Sequence, residues 1–146
     1  MTNTSIALNM IRGLYYVGGD FTEGSIVNSA TETEVLDYDI PAGTVTNGII
    51  IIASCRNELV AQISTETVFR IKVGDNGSEV ERCKTKFNEI GGAADLSGTI
   101  RNQGFIVAVV DDEDWSAGQT VSVTADMDGA DGFDTSYGEY VVILGY

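Results

Sequence analysis

The chain of 146 residues reads as an all-β protein, an antiparallel two-sheet sandwich of jelly-roll type with an extended N-terminal arm. Three observations predict this class. Short β-rich runs alternate apolar and polar side chains. Gly, Asn and Asp punctuate them, the residues that tolerate turn angles. No segment sustains an apolar stripe at helical spacing, and only residues 57–67 and 87–96 leave room for a helical turn or two. An immunoglobulin-like sandwich is the main competitor, but no Cys…Trp…Cys pattern supports it.

The first 30 residues hold two weak strand candidates, 6–16 and 25–30, and read as an arm or as edge strands. An arm of this kind can lend a strand to a neighbouring subunit. Residues 31–146 form the sandwich. Thr33 to Ile40 places Leu36, Tyr38 and Ile40 on one face and Asp37 and Asp39 on the other. Pro41-Ala42-Gly43 ends that strand, because proline cannot donate to a ladder. Asn47-Gly48 opens the run IIIIAS, whose consecutive branched residues predict a central strand buried on both faces.

Val68 to Val73 alternates, with Phe69, Ile71 and Val73 inward and Arg70 and Lys72 outward. Asp75-Asn76-Gly77 marks a hairpin to a partner strand over 79–87. Arg70, Lys72, Arg82, Lys84 and Lys86 all fall on this hairpin, and cross-strand pairing with acids is the simplest use for them. Gly104 introduces FIVAVV, a second candidate for a buried strand. Thr120 to Asp126 alternates again, with Val121, Val123 and Ala125 inward. Glu139 to Gly145 makes the last strand, the seventh after residue 33.

The length suits one domain that buries about two-thirds of its unfolded surface. Eight Lys and Arg against 22 Asp and Glu give a formal charge of −14. Such a surface repels phosphate backbones and anionic lipid, which argues against direct contact with nucleic acid or membrane. It suits solubility at high concentration, or cation binding. The opening residues show no basic start, apolar stretch or small-residue cleavage site, so no signal peptide is expected. No apolar run approaches the roughly 20 residues that span a bilayer. Cys55 and Cys83 fall in separate strands and are read as reduced thiols, with a disulfide as the alternative.

Chemistry is sparse. With no histidine in the chain, the commonest general base and transition-metal ligand are missing. No nucleophile elbow, phosphate-binding glycine loop or Cys-x-x-Cys pair occurs. Scattered acids leave a carboxylate-pair glycosidase without a motif to exclude it, but no catalytic residues are assigned and an enzyme is not expected. The best cation candidate runs from Asp126 to Asp134. There Asp126, Asp128, Asp131 and Asp134 sit in a glycine-rich stretch that can turn several oxygens towards one calcium ion. The EF-hand register fails, since the fifth position is Ala130 and the twelfth is Tyr137. A solvated turn is the competing reading. Asp111 to Asp114 offers the same choice. Trp115 and the tyrosines at 15, 16, 38, 137, 140 and 146 are too dispersed to nominate a sugar-stacking platform, and packing is their expected use.

From about residue 34 onward the chain resembles the small jelly-roll structural proteins of tailed bacteriophages and related viruses. The resemblance lies in an "IPAGT…NG" corner, here Ile40 to Thr44 with Asn47-Gly48, and in a "WSAGQTVSVT" segment, here Trp115 to Thr124. Tyr140 to Tyr146 then closes the domain. It implies a protein of the virion surface that decorates or cements a capsid, binding the major capsid protein and itself, commonly as a homotrimer. A receptor- or carbohydrate-binding module at a fibre tip is the alternative. It implies no catalytic residue.

Overall fold

The computed structural model describes residues 13–21, 24–27, 30–59, 65–89, 100–128 and 135–146. Nine strands run through them: β1 (Tyr15–Asp20), β2 (Gly24–Val27), β3 (Thr33–Ile40), β4 (Ile49–Leu59), β5 (Thr65–Gly74), β6 (Val80–Glu89), β7 (Ile100–Val110), β8 (Gln119–Asp128) and β9 (Thr135–Gly145). They form two antiparallel sheets. The first has the order β1-β9-β4-β7, with β2 also on β9, and the second the order β3-β8-β5-β6. β1 pairs with Val141 to Gly145 and β2 with Thr135 to Gly138, so the two act as one interrupted edge strand. The chain crosses between sheets at almost every connection, which is the jelly-roll wrap expected from the sequence.

Period-2 alternation turns one set of side chains into the space between the sheets. Phe69, Ile71 and Val73 of β5 and Val121, Val123 and Ala125 of β8 meet Ile49, Ile51 and Ala53 of β4 and Val141 and Ile143 of β9, all fully buried. Each large side chain withdrawn in this way contributes about 1.5–3 kcal/mol. Between the sheets the buried Asn57 Nδ2 donates to the buried Thr67 Oγ1 at 3.2 Å, while Asn57 Oδ1 has no hydrogen-bond partner among the described residues.

Turn chemistry follows the sequence. Thr44 N donates to the Pro41 carbonyl at 3.2 Å, with Gly43 at φ 71°. Gly43 N also donates to the Trp115 carbonyl at 2.8 Å, tying this corner to the acidic loop. In the β5–β6 hairpin Ser78 N donates to the Asp75 carbonyl at 2.8 Å, and Gly77 takes φ 81°.

Three expectations are corrected. Of the segments 57–67 and 87–96, read as room for helical turns, Asn57 to Leu59, Thr65 to Thr67 and Phe87 to Glu89 are strand, because their ladders to β7, β6 and β5 continue through them, and residues 60–64 and 90–96 lie outside the described residues. The run IIIIAS is central in its sheet, yet Ile50 and Ile52 are only half-buried on its outer side. FIVAVV is no buried strand. β7 lies at the sheet edge, with Ile106, Ala108 and Val110 inward and Phe105, Val107 and Val109 in the open at 64, 53 and 55 % exposure. The N-terminal strands fall at 15–20 and 24–27 and pair with β9 of the same sandwich. Residues 1–12 lie outside the described residues.

Candidate interaction surface

Register builds the main surface feature row by row. On the outer face of the β1-β9-β4-β7 sheet, Tyr16 stands beside Leu144, Leu144 beside Ile50, and Ile50 beside Val109. The next row runs Gly19, Val142, Ile52, Val107. The third runs Tyr140, Ser54, Phe105. Tyr16, Phe105, Val107 and Val109 are all more than half exposed. Isolated exposed apolar residues are ordinary, but a contiguous apolar patch marks a contact surface.

Aromatic rings close one end of this face. The Tyr140 ring stacks on Phe21 at 6.5 Å between centroids and meets Phe105 at 6.4 Å. Beside this ridge lies a small polar cluster. Glu139 accepts a hydrogen bond from Ser54 Oγ at 2.8 Å and one from Gln103 Nε2, and pairs with Arg56 at 3.4 Å. The Arg56 guanidinium sits over the Tyr137 ring at 4.6 Å, a cation–π contact. The irregularity between Ser54 and Cys55 leaves Glu139 as an extra residue of β9, between Tyr140 opposite Ser54 and Gly138 opposite Cys55. The sequence lacked a signal for this assembly, because its residues come from 21 to 140 and meet only through sheet order.

The opposite outer face is charged. Arg70 pairs with Asp126, with Glu81 at 3.3 Å and with Glu32 at 3.9 Å. Lys72 pairs with Glu32 at 2.5 Å, Lys84 with Glu81 at 3.4 Å and Lys86 with Glu66 at 2.5 Å. Thr120 Oγ1 donates to Asp39 at 2.7 Å and Thr124 Oγ1 to Glu32 at 2.7 Å. Burial works to raise the Glu32 carboxyl, but hydrogen bonds from Lys72 and Thr124 and the charges of Lys72 and Arg70 hold it below its usual range. Glu34 shifts the other way, pushed up by burial and by Asp37, Glu79 and Asp39. The hairpin's positive charge is thus paired with nearby acids, as the sequence suggested.

The acidic stretch after β7 is engaged as well. Arg82 pairs with Asp112 at 3.0 Å and with Glu113. Asp114 accepts from the Ser116 amide at 3.0 Å and hydroxyl at 2.6 Å, and these bonds lower its pKa. Trp115 is buried in the core. Of the calcium candidates, Asp126 is half-buried and ion-paired to Arg70. Asp131 and Asp134 lie outside the described residues, as does the Asp128 side chain. Among the described residues no three acidic or cysteine side chains form a metal cluster. A polar cleft of about 240 Å³, lined by Asp39, Ile40, Asn76, Gly118, Gln119 and Thr120, opens at one end of the sandwich. Cys55 and Cys83 are unbridged, and burial, helped by Glu139, pushes the Cys55 thiol up to about 12.

Sheet order and surface together define the class: an antiparallel jelly-roll sandwich with one greasy outer face and one charged one. No protein-family model matches the chain, and no characterised protein matches it in sequence. Solved structures do share the fold. The structure of infectious bursal disease virus, Gx strain, superposes with a TM-score of 0.54 at 10 % identity, over 91 % of this chain and 32 % of that one. Eiger TNF from S. frugiperda gives 0.51 at 9 % identity, covering 91 % of both. The xylan-binding module CBM15 gives 0.50 at 13 % identity, over 90 % of this chain and 95 % of that one. The chain therefore spans about a third of the viral protein and nearly all of the other two. At such identities the likeness is one of fold. Among the described residues, no helix is long and apolar enough to cross a membrane.

Proposed function

We propose that this chain is a structural subunit of the virion surface, of the kind that decorates or cements a capsid by docking on the major capsid protein. One observation carries the reading: the two outer faces differ in character. Val107, Val109, Ile50, Ile52, Val142 and Leu144 make an aliphatic surface on one side, while ion pairs and hydroxyls cover the other. Aliphatic side chains discriminate poorly among small polar ligands but pack well against protein, where apolar burial contributes about 25 cal/mol per Å². The charged face and the net charge of −14 keep the outside of a crowded particle dispersed. The fold shared with a protein of infectious bursal disease virus and the resemblance to phage structural proteins agree with this reading, and the homotrimer is implied by that resemblance alone.

The test is recovery with particles. Wild-type chain mixed with capsids is expected to co-sediment in stoichiometric amounts, and Phe105→Glu to remain in the supernatant while keeping its circular dichroism. No co-sedimentation of the wild type would remove the reading.

The aromatic ridge favours a second reading, a carbohydrate-binding module at a fibre tip. Phe21, Tyr140 and Phe105 offer ring faces, and Ser54, Glu139, Gln103 and Arg56 offer hydrogen bonds alongside. The shared fold with a xylan-binding module supports it. Binding on a glycan array that Tyr140→Ala abolishes would favour this alternative.

A further inference from the structure

We infer that the aliphatic face of the β1-β9-β4-β7 sheet is covered by the same face of a second copy of this chain. The inference rests on the structural-subunit reading and names what covers that contact surface in the free chain, before it docks on a particle.

Charge selects the occupant. The chain carries −14, so two copies repel wherever their acidic surfaces meet. In the three apolar rows the register places no charged residue. Arg56 and Glu139, one row beyond, neutralise each other at 3.4 Å. A basic partner would gain more from the acid-rich surfaces elsewhere. A face without charge meets its own copy without repulsion, and a two-fold contact brings the same patch of both copies together.

Size agrees. Three rows about 6.7 Å apart, across four strands about 4.8 Å apart, cover on the order of 400 Å² in projection. That is the apolar centre of a standard interface, which buries about 800 Å² per partner. Two such faces stack at the ordinary sheet-to-sheet spacing of about 10 Å.

The edge agrees too. β7 is the last strand of its sheet, and Phe105 to Val110 includes no proline, no charge and no lysine to blunt it. Natural edge strands that stay uncovered usually carry such protection. A second copy lying over the face reaches this edge and shields it.

Sedimentation of the full chain tests the inference. Wild type is expected to sediment as a dimer of the 15.5 kDa chain, and more strongly so in high salt, which screens repulsion and favours apolar burial. Val107→Glu is expected to sediment as the monomer with an unchanged circular-dichroism spectrum. Val109→Ser, a milder change, should raise the dissociation constant at least tenfold. Asp37→Lys, on the charged face, should leave association intact. A monomeric wild type at every concentration, an association that salt weakens, or a Val107→Glu protein that stays associated would each overturn it. The two readings separate cleanly. A monomeric wild type that binds capsids but loses them on Val107→Glu sinks the self-contact and leaves the particle role. A face-dependent oligomer that ignores capsids does the reverse.

Discussion

Val107 on the free edge strand stands directly opposite Ile52 on β4, and both turn away from the core. Their sequence neighbours Ile106 and Ile51 face the other way and are buried. One strand pair thus supplies both the core and the contact surface, and the two roles separate by a single residue step.

That step gives the first prediction. Ile106→Ala is expected to cost about 2–4 kcal/mol in urea unfolding, since it leaves a cavity between the sheets. Val107→Thr, one residue on, is expected to change the stability of the isolated chain by less than about 0.5 kcal/mol. Equal losses at the two positions would mean that the outer face is packed within the monomer.

The second concerns Arg70, which holds three carboxylates together on the charged face. Arg70→Met strands Asp126, Glu81 and Glu32 beside one another. With Arg70 and Asp126 both partly buried, the expected loss lies between surface and buried pairs, about 2 kcal/mol at neutral pH. Adding Asp126→Asn should recover part of it. A double-mutant cycle reads the coupling directly.

The third is a pH dependence of opposite sign at two neighbouring acids. Glu32 has its pKa lowered from 4.5 in the folded chain. Between that lowered value and 4.5 the unfolded state binds more protons, so the contribution of Glu32 is present above 4.5 and is lost as pH falls through the folded value. Glu34 has its pKa raised from 4.5. Its contribution is present below 4.5 and is lost as pH rises through the raised folded value. Glu32→Gln should therefore destabilise the chain at neutral pH and lose its effect in acid, while Glu34→Gln should stabilise it at neutral pH. Melting temperatures across an acid series check both.

How far the sequence was legible depends on what each strand faces. β3, β5 and β8 announced themselves because their polar residues meet water or ion pairs, so Leu36, Phe69 and Val123 stand out at every second position. The β5–β6 hairpin was equally plain, with Asp75-Asn76-Gly77 at its tip and its cations beside acids. β7 was not legible. Every residue from Phe105 to Val110 is apolar, and such a run looks the same whether its outer side is covered by a helix, by another protein or by nothing. Only the sheet order, which puts β7 at an edge, separates these cases. The aromatic ridge was hidden for a related reason: Phe21, Phe105 and Tyr140 share no spacing and are joined only through β4 and β9.

The fourth prediction takes up the calcium expectation for Asp126, Asp128, Asp131 and Asp134. With Asp126 tied to Arg70, a bound ion has to draw its remaining oxygens from the rest of the stretch. Chelator should lower the melting temperature by several degrees and calcium should restore it. No shift in either direction removes the site.

The role of the aliphatic face is tested most directly by cysteine labelling of Val107→Cys, followed peptide by peptide in the mass spectrometer. In dilute chain the thiol is expected to react quickly with maleimide, and in the capsid-bound form to be protected at least tenfold, while Asp37→Cys on the charged face reacts alike in both. A position-107 thiol that labels just as fast in the bound form, with position 37 protected instead, would show that the contact lies on the other sheet.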